Sequence, residues 1–243
     1  MPAIRARRRL LPAVAIAVIV LGGGLVLGLS ARSPASAGAS PTAATGAGSG
    51  GQDQQVPTVD LSGLRWSDFY GVELPVSPQA GPRDTSGGLA AGFARSPLGA
   101  LLAAINIGVR ANAQWGPRIF AAVIRRQVTG PDAAALLANC EVAYGEASQS
   151  RHVTDGHPLG TVDVTEEGFR WVAYTPAAAI LDLVSAGPGS QGTTVRASTQ
   201  IEAVWDGRDW KLLAPSGGDW GNAATGLPSL SGYAVFPGQG GGS

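Results

Sequence analysis

The longest apolar run in the chain extends from Leu10 to Leu29, and none of its 20 residues carries a charge. A helix that rises about 1.5 Å per residue extends this run over roughly 30 Å, the hydrocarbon thickness of a bilayer. The pattern therefore predicts a transmembrane helix over residues 10–29. Because arginine-rich flanks stay in the cytoplasm, residues 1–9 should be cytoplasmic and the rest of the chain extracytoplasmic. The flanking arginines are Arg5, Arg7, Arg8 and Arg9.

A cleaved signal peptide is the alternative interpretation of this segment. Ala35-Ser36-Ala37 fits the small-residue pattern at which signal peptidase cuts. The apolar run, however, is longer than the usual signal-peptide core of about 7–15 residues. Arg32 also interrupts the approach to the cleavage site. We therefore expect an uncleaved, single-pass membrane anchor.

Residues 30–58 follow as a segment of Ser, Ala, Gly, Pro and Thr, with a short Gln-rich stretch near the end. The segment has no aromatic residue, and Val56 is its only sizeable aliphatic side chain. Such a composition cannot bury enough apolar surface to offset the entropy of ordering the chain. We therefore predict a disordered linker between the membrane and the folded domain.

Three runs with helical periodicity come next. Ser96 is a typical N-cap and Pro97 a typical first helical residue, and the helix is predicted to end near Ala113. Two further amphipathic runs begin after Gly116-Pro117 and Gly130-Pro131, the last ending near Ala147. The apolar positions of the first run, which define one helical face, are Leu98, Leu101, Leu102, Ile105 and Val109.

After Arg151 the pattern changes to strands. Four segments are rich in β-branched or aromatic residues and bounded by turn signals: 169–174, 178–184, 193–204 and 210–213. Helices followed by consecutive strands are typical of an α+β domain. We therefore predict an extracytoplasmic domain over residues 59–216, with the helices packed on one face of a curved antiparallel sheet.

The stretch WDGRDWKL joins the last two predicted strands. Asp206-Gly207 is a strong hairpin signal, and two registers are open, pairing Trp210 with either Ala203 or Trp205. In both registers the tryptophans share the apolar face of the hairpin, since side chains alternate with period two. We interpret them as structural anchors rather than a ligand clamp. The predicted aromatic anchors are Trp66, Phe69, Trp171, Trp205 and Trp210.

Beyond Ser216 the chain becomes rich in glycine, and residues 217–243 are predicted to be disordered. Docking of Tyr233 and Phe236 on the domain is the alternative for this tail. Five of the 17 basic side chains lie within the first 32 residues, whereas all 17 acidic ones follow residue 52. The extracytoplasmic part is therefore net acidic, which gives it no electrostatic reason to bind nucleic acid.

The residue types that usually act in catalysis or metal binding do not form a recognisable site in the sequence. Cys140 lies in an apolar helical run, which indicates a buried thiol. His152 and His157 share a loop whose spacing matches no zinc pattern. The letters G-x-G-x-x-G at residues 187–192 precede a strand, so they indicate a loop and not a dinucleotide site. Glu166 and Glu167 should point apart on a strand.

We therefore predict no catalytic, cofactor-binding or metal-binding residues, and no cofactor. A pairing of Asp182 with a distant carboxylate inside the sheet stays open at this point.

Three stretches, at residues 92–104, 169–171 and 204–212, carry a resemblance to a known group. With the arginine cluster, the anchor and the linker, they resemble membrane-anchored domains of the cystatin-like cone fold, the nuclear transport factor 2 superfamily. The combination looks like actinobacterial membrane proteins of conjugative elements. Those proteins are similar to the extracytoplasmic assembly factor of type IV secretion systems. The resemblance covers about residues 61–216 and does not explain the Gly-rich tail.

The resemblance implies a non-enzymatic scaffold that helps to assemble a conjugative DNA-transfer apparatus. The implied partners are the membrane, secretion-channel proteins and further copies of the chain, with no direct contact to nucleic acid. The implied location is the cell membrane, with the domain outside. An extracytoplasmic module that binds a small ligand or lipid, or assists a transporter, is the alternative, because cone folds often form a pocket.

The topology can be tested with a reporter fused to the C-terminus. We expect alkaline phosphatase, which is active only outside the cytoplasm, to be active when fused after residue 243. Replacing Arg5, Arg7, Arg8 and Arg9 with alanine should lower that activity severalfold, because the positive flank sets the orientation. A cytoplasmic fluorescent reporter at the same position is the control. Strong fluorescence of that reporter in the wild-type chain would contradict the predicted orientation.

Overall fold

The structure, a computed structural model, describes residues 56–238, which form a mixed α+β fold. The expected α+β class is confirmed. The predicted cytoplasmic segment 1–9, the anchor 10–29 and nearly all of the linker 30–58 lie outside the described residues. Between residues 56 and 238, no helix has both the length and the hydropathy needed to cross a membrane.

Along the described residues two strands come first, the three α-helices follow, and most of the remaining strands come after the helices. The elements are β1 (Arg65–Phe69), β2 (Val72–Val76), α1 (Pro97–Arg110), α2 (Pro117–Gln127), β3 (Val128–Thr129), α3 (Ala133–Arg151), β4 (Thr165–Tyr174), β5 (Ala178–Pro188), β6 (Thr194–Trp205), β7 (Trp210–Leu213), β8 (Ala224–Gly226) and β9 (Ala234–Val235).

Helix α1 begins where the sequence predicts. The Ser96 hydroxyl accepts a hydrogen bond from the Gly99 amide at 3.1 Å, and Pro97 occupies the first turn. The helix ends at Arg110, three residues earlier than expected, because Asn112 starts a separate 3₁₀ turn. Helix α3 runs four residues past its predicted end and stops at His152, which adopts a left-handed conformation.

Helix α1 is buried on every side, although the sequence predicts one apolar face. All of its residues from Gly99 to Arg110 are buried. It packs on β5, β6 and β7 of the main sheet, and also against α2 and β2. A Cβ atom at Gly99 would lie 2.0 Å from the Ala94 carbonyl oxygen, so glycine is needed for this close approach. A helix that is apolar all round belongs in the centre of a domain.

The main sheet has seven strands in the order β3-β7-β6-β5-β4-β9, with β8 also paired to β6. Every pair is antiparallel except β3 and β7, which run parallel. The sheet is therefore not the purely antiparallel one expected. Val128 continues the apolar spacing of the second helical run in the sequence, but it belongs to β3. Its amide donates to the Ile124 carbonyl at the end of α2, and the residue pairs with Leu212 of β7.

The first ordered residues form a separate antiparallel hairpin of β1 and β2. The aromatic and aliphatic residues of the segment 64–72 predict a short strand or a docked segment that Pro75 and Pro78 end. Pro75 instead lies inside β2, opposite Trp66. A two-stranded sheet has free edges on both sides, so it tolerates a residue that has no amide hydrogen.

The predicted disordered tail is wrong for residues 217–238. Trp220 and Phe236 are buried, and two short strands join this segment to the main sheet. Gly218 packs directly on the backbone at the start of α3, where a Cβ would lie 2.2 Å from the Leu136 amide nitrogen. Gly218 thus permits residues 217–238 to dock closely on the domain, and Trp220 and Phe236 supply the apolar area that this docking needs.

The hairpin of β6 and β7 fixes the chain that leads into α1. Trp205 pairs directly with Trp210, and their ring centroids are 5.6 Å apart. The Asp209 carboxylate accepts hydrogen bonds from the amides of Gly92 at 2.7 Å and Phe93 at 3.1 Å. The Trp210 indole donates to the Ala94 carbonyl at 2.9 Å. The WDGRDWKL stretch is thus a structural clamp on residues 92–94.

Replacement of Asp209 by alanine should lower the free energy of unfolding by roughly 2 kcal/mol, because two backbone amides lose a charged acceptor. Urea denaturation measures the change. Arg208→Ala is the matched control in the same loop, since the Arg208 side chain is exposed, and we expect a change below about 0.5 kcal/mol. Equal stability of the Asp209→Ala variant and the wild type would contradict the clamp.

Candidate functional site

A ladder of three polar side chains crosses the face of the sheet that points away from α1. Arg170 of β4 pairs with Asp182 of β5, and Asp182 pairs with Gln200 of β6. Leu181 and Leu183, the neighbours of Asp182, are fully buried on the opposite face. Because side chains alternate along a strand, the leucines face the helices and the polar ladder faces outward.

The ladder is held together by direct contacts between the three side chains. Arg170 donates to the Oδ2 atom of Asp182 from Nη2 at 2.5 Å and from Nε at 3.2 Å. Gln200 donates to the Oδ1 atom of the same carboxylate at 3.3 Å. Asp182 is only 7% exposed, whereas half of the Arg170 side chain is open to solvent. The carboxylate is therefore fixed as a hydrogen-bond acceptor between its two neighbours.

The chain after β7, residues 214–238, covers part of this face, and we call it the C-terminal segment. After β7 the chain returns as β8 beside β6, and it then reaches β4 on the other flank of the sheet as β9. Tyr233, just before β9, donates to the Ser198 hydroxyl of β6 at 3.0 Å. The Arg170 guanidinium lies over the Tyr233 ring, 4.9 Å from its centroid. Residues 227–233 thus form a strap across the outer face of the sheet.

A cavity of about 630 Å³ lies between the ladder and this segment, and we call it the outer-face groove. Its volume is typical of small-molecule sites. Trp220 borders it, and the buried indole nitrogen of Trp220 has no hydrogen-bond acceptor within residues 56–238. The polar side chains of the groove belong to Arg170, Asp182, Ser198, Gln200, Glu202, Ser216, Asn222, Thr225 and Tyr233, and its apolar ones to Leu213, Ala214, Pro215, Trp220, Ala223 and Leu227.

The side chains of the outer-face groove differ in whether they are paired with one another. The groove contains no cysteine or histidine, and Arg170 holds Asp182 as an ion pair. Asp182 therefore finds a basic partner, not the distant carboxylate that the sequence left open. Glu202 forms no ion pair or side-chain hydrogen bond with the residues that the structure describes. What the groove offers is a set of hydrogen-bonding groups around one unpaired carboxylate.

A second unusual carboxylate, Glu166, lies on the helix-facing side of β4. It is 1% exposed, and its Oε2 atom accepts a hydrogen bond from the Ser185 hydroxyl at 2.8 Å. Its Oε1 atom has no partner within residues 56–238. Burial raises the pKa of Glu166 from 4.5 to about 7, against the opposing effect of the Ser185 hydrogen bond. Glu167 occupies a bulge and pairs with Arg196 instead, so the two carboxylates do point apart.

Arg110, at the end of α1, is a buried cation. No carboxylate among residues 56–238 forms an ion pair with it. Its guanidinium lies 4.3 Å from the centroid of the Phe69 ring and donates to the backbone and side-chain oxygens of Asn106. Burial lowers the pKa of Arg110 to about 10, so it stays charged at neutral pH.

The predicted aromatic anchors lie where the core meets the surface. Trp171 and Trp210 are buried, whereas Trp66, Phe69 and Trp205 are half-buried and pack against the core. The predicted topology residues Arg5, Arg7, Arg8, Arg9, Leu10 and Leu29 lie outside the described part of the chain.

The remaining candidates behave as ordinary structural residues. Cys140 is buried, and burial raises the pKa of its thiol to about 12. His152 and His157 are exposed, and residues 187–192 lie at the turn between β5 and β6. Across residues 56–238, no three or more His, Cys, Asp or Glu side chains are grouped so as to hold a metal ion.

Sequence reasoning missed the outer-face groove. Its only signal is the placement of Arg170 and Asp182 between apolar neighbours, and of Gln200 beside Ile201, on three predicted strands. That pattern marks an outward face, but it does not reveal that the three side chains are in register. The other side of the groove comes from residues that were assigned to a disordered tail.

Comparison with known proteins gives one match. A family model described as a domain of unknown function (DUF8175) matches residues 30–235. The matched range contains every residue of the outer-face groove, including those of the C-terminal segment. No curated protein and no solved structure matches the chain.

Glu166 should make the stability of the fold depend on pH. The folded pKa of about 7 exceeds the unfolded value of 4.5, so the folded state binds the proton more tightly. This stabilisation is complete below pH 4.5 and is lost as the pH rises through 7, a change of about 3 kcal/mol. Glu166→Gln should remove the dependence and exceed the wild type in stability at about pH 8.5.

Urea denaturation across this pH range measures the effect. Glu146→Gln, which alters an exposed glutamate on α3, is the control and should leave the pH dependence unchanged. A Glu166→Gln variant with the same pH dependence as the wild type would show that Glu166 is not the titrating group.

Proposed function

We propose that this chain, which belongs to the DUF8175 family, is a non-enzymatic scaffold anchored in the cell membrane, with its domain outside. In this proposal it is an assembly component of a conjugative, type IV secretion-like DNA-transfer apparatus. Its partners are secretion-channel proteins and further copies of itself. The sequence features that support the proposal are the arginine-flanked apolar run, the linker and the resemblance to cone-fold assembly factors.

The structural observation that carries the proposal is the filled interior between the helices and the sheet. Leu181, Ile201 and Leu212 of the sheet and Leu101 and Ile105 of α1 all have no exposed surface. Enzymes and carriers of cone-like architecture need an open cavity at this place. A side of the sheet that is occupied by packing residues favours a role in assembly. The cone-like fold is part of the same proposal and rests on the resemblance of residues 92–104, 169–171 and 204–212.

The buried carboxylate Glu166 does not argue for catalysis. A catalytic acid or base has to come within hydrogen-bond reach of the substrate, directly or through one water molecule. Glu166 is 1% exposed and its one hydrogen-bond partner among the described residues is Ser185. A raised pKa in a sealed position is a property of the fold, whereas a raised pKa in an open cleft would favour chemistry.

A ligand-binding role is the second candidate, and the outer-face groove is the observation that favours it. The resemblance to cone folds implies a pocket inside the cone. The groove lies on the opposite face of the sheet, between the polar ladder and the C-terminal segment. A ligand there does not compete with the packing of α1, so both roles are compatible with one domain.

Crosslinked affinity purification from native membranes tests the assembly role. We expect the tagged chain to recover a secretion ATPase, a polytopic channel subunit and further copies of itself, identified by mass spectrometry. A matched control carries the same tag on residues 1–58, which contain the predicted anchor and linker without the folded domain. Partners that only the full chain recovers are partners of the domain.

Recovery of the chain alone, or its presence in the culture medium instead of the membrane, contradicts the proposal. Equal recovery of all partners by the control also contradicts it, because the folded domain would then have no part in the assembly.

A further inference from the structure

We infer that the outer-face groove is a binding site for a hydroxylated ligand that carries a protonated amine, the chemical class of an amino sugar. This inference goes beyond the proposed assembly role and does not depend on it. It rests on the charge of the groove, on its unused hydrogen-bonding groups, and on the way in which the C-terminal segment encloses it.

The charge of the groove selects for a cation. Arg170 and Asp182 are in contact at 2.5 Å, so their charges cancel. Glu202 lines the same cavity and has no basic partner within residues 56–238. The groove therefore carries a net charge of −1. A cleft lined by one sign of charge attracts the opposite sign more strongly than a flat surface, because its walls exclude water.

Two further basic side chains on β6 and β7 are occupied elsewhere. Lys211 of β7 contacts Asp206 and the Arg126 carbonyl oxygen, and Arg196 of β6 pairs with Glu167. Neither of these cations lines the groove. The carboxylate of Glu202 is thus left for a ligand cation.

The unused hydrogen-bonding groups of the groove include both acceptors and donors. The amide oxygens of Gln200 and Asn222 accept no hydrogen bond from the described residues, and the same is true of the Glu202 carboxylate. The Nη1 atom of the half-exposed Arg170 guanidinium donates to none of the described residues, so it supplies unused donors. An ammonium group only donates, whereas a hydroxyl both donates and accepts. A ligand with one amine and several hydroxyls matches this set.

The groove is built by the fold and is not a chance depression. Its floor is the ladder of three paired strands, and its cover is fixed at both flanks of the sheet through β8 and β9. Tyr233 is held from two sides, by the Ser198 hydroxyl and by the Arg170 guanidinium. Groups held in place before binding lose little entropy on binding, which favours affinity for a small ligand.

Calorimetric titration of the full chain, purified in a neutral detergent, tests the inference. The two probes are the trimer of glucosamine, which has free amines, and the trimer of N-acetylglucosamine, in which the amines are neutral amides. We expect the wild type to bind the free-amine trimer about tenfold more tightly, the typical effect of one charged hydrogen bond.

The decisive variant is Glu202→Gln, which removes the charge and keeps the shape. It should bring the affinities for the two trimers within about threefold of each other. Glu146→Gln, which removes an exposed carboxylate outside the groove, is the matched control and should keep the full preference. Trp220→Phe keeps a buried aromatic ring beside the groove and leaves the charge of the groove unchanged, so it should keep the preference for the free-amine trimer.

Binding of neither trimer, equal binding of both by the wild type, or a preference that survives Glu202→Gln each overturns the inference. Circular dichroism of the three variants shows whether the fold is retained. If Trp220→Phe fails to fold, the comparison of Glu202→Gln with Glu146→Gln decides alone, because neither side chain has a partner that the fold requires. These results leave the assembly role untouched, since that role is measured by the recovery of partners.

Discussion

The burial of α1 is the constraint on which the rest of the structure depends. A helix with no solvent-facing side needs partners all round, and the sheet, α2 and β2 supply them. Gly99 and the clamp of Asp209 and Trp210 on residues 92–94 fix the entry of this helix. Because α1 covers the inner face of the sheet, an accessible site on this sheet has to form on its outer face. The position of the groove thus follows from the packing of one helix.

The sequence is sufficient for the parts of the fold that local chemistry determines. The start of α1 follows from Ser96-Pro97, and the β6–β7 hairpin follows from Asp206-Gly207. The choice between the two hairpin registers does not follow, because both place the tryptophans on the same face. The parallel pairing of β3 with β7 is equally inaccessible. This pairing brings the two residues of β3 against a strand more than 80 positions further along the chain. The hydrophobic periodicity of the sequence does not indicate which distant strands pair.

The candidate site was harder to predict than the fold, for a physical reason. Arg170, Asp182 and Gln200 look like ordinary outward residues until the strand register places them side by side. The opposite wall comes from a Gly-rich segment, and composition alone suggests that such a segment stays disordered. Trp220 and Phe236 reverse that expectation, because two buried aromatic side chains supply enough apolar area to hold the segment in place.

The path of the C-terminal segment has a consequence for the order of events during synthesis. The chain emerges from the ribosome N-terminus first, so the helices and β4 to β7 are complete before residues 214–233 appear. These last residues supply Trp220, Asn222 and Tyr233. A nascent domain can therefore bury α1 while its outer face is still open. The groove forms only once residues 214–233 have been added, so its presence distinguishes a domain that contains this segment from one that lacks it.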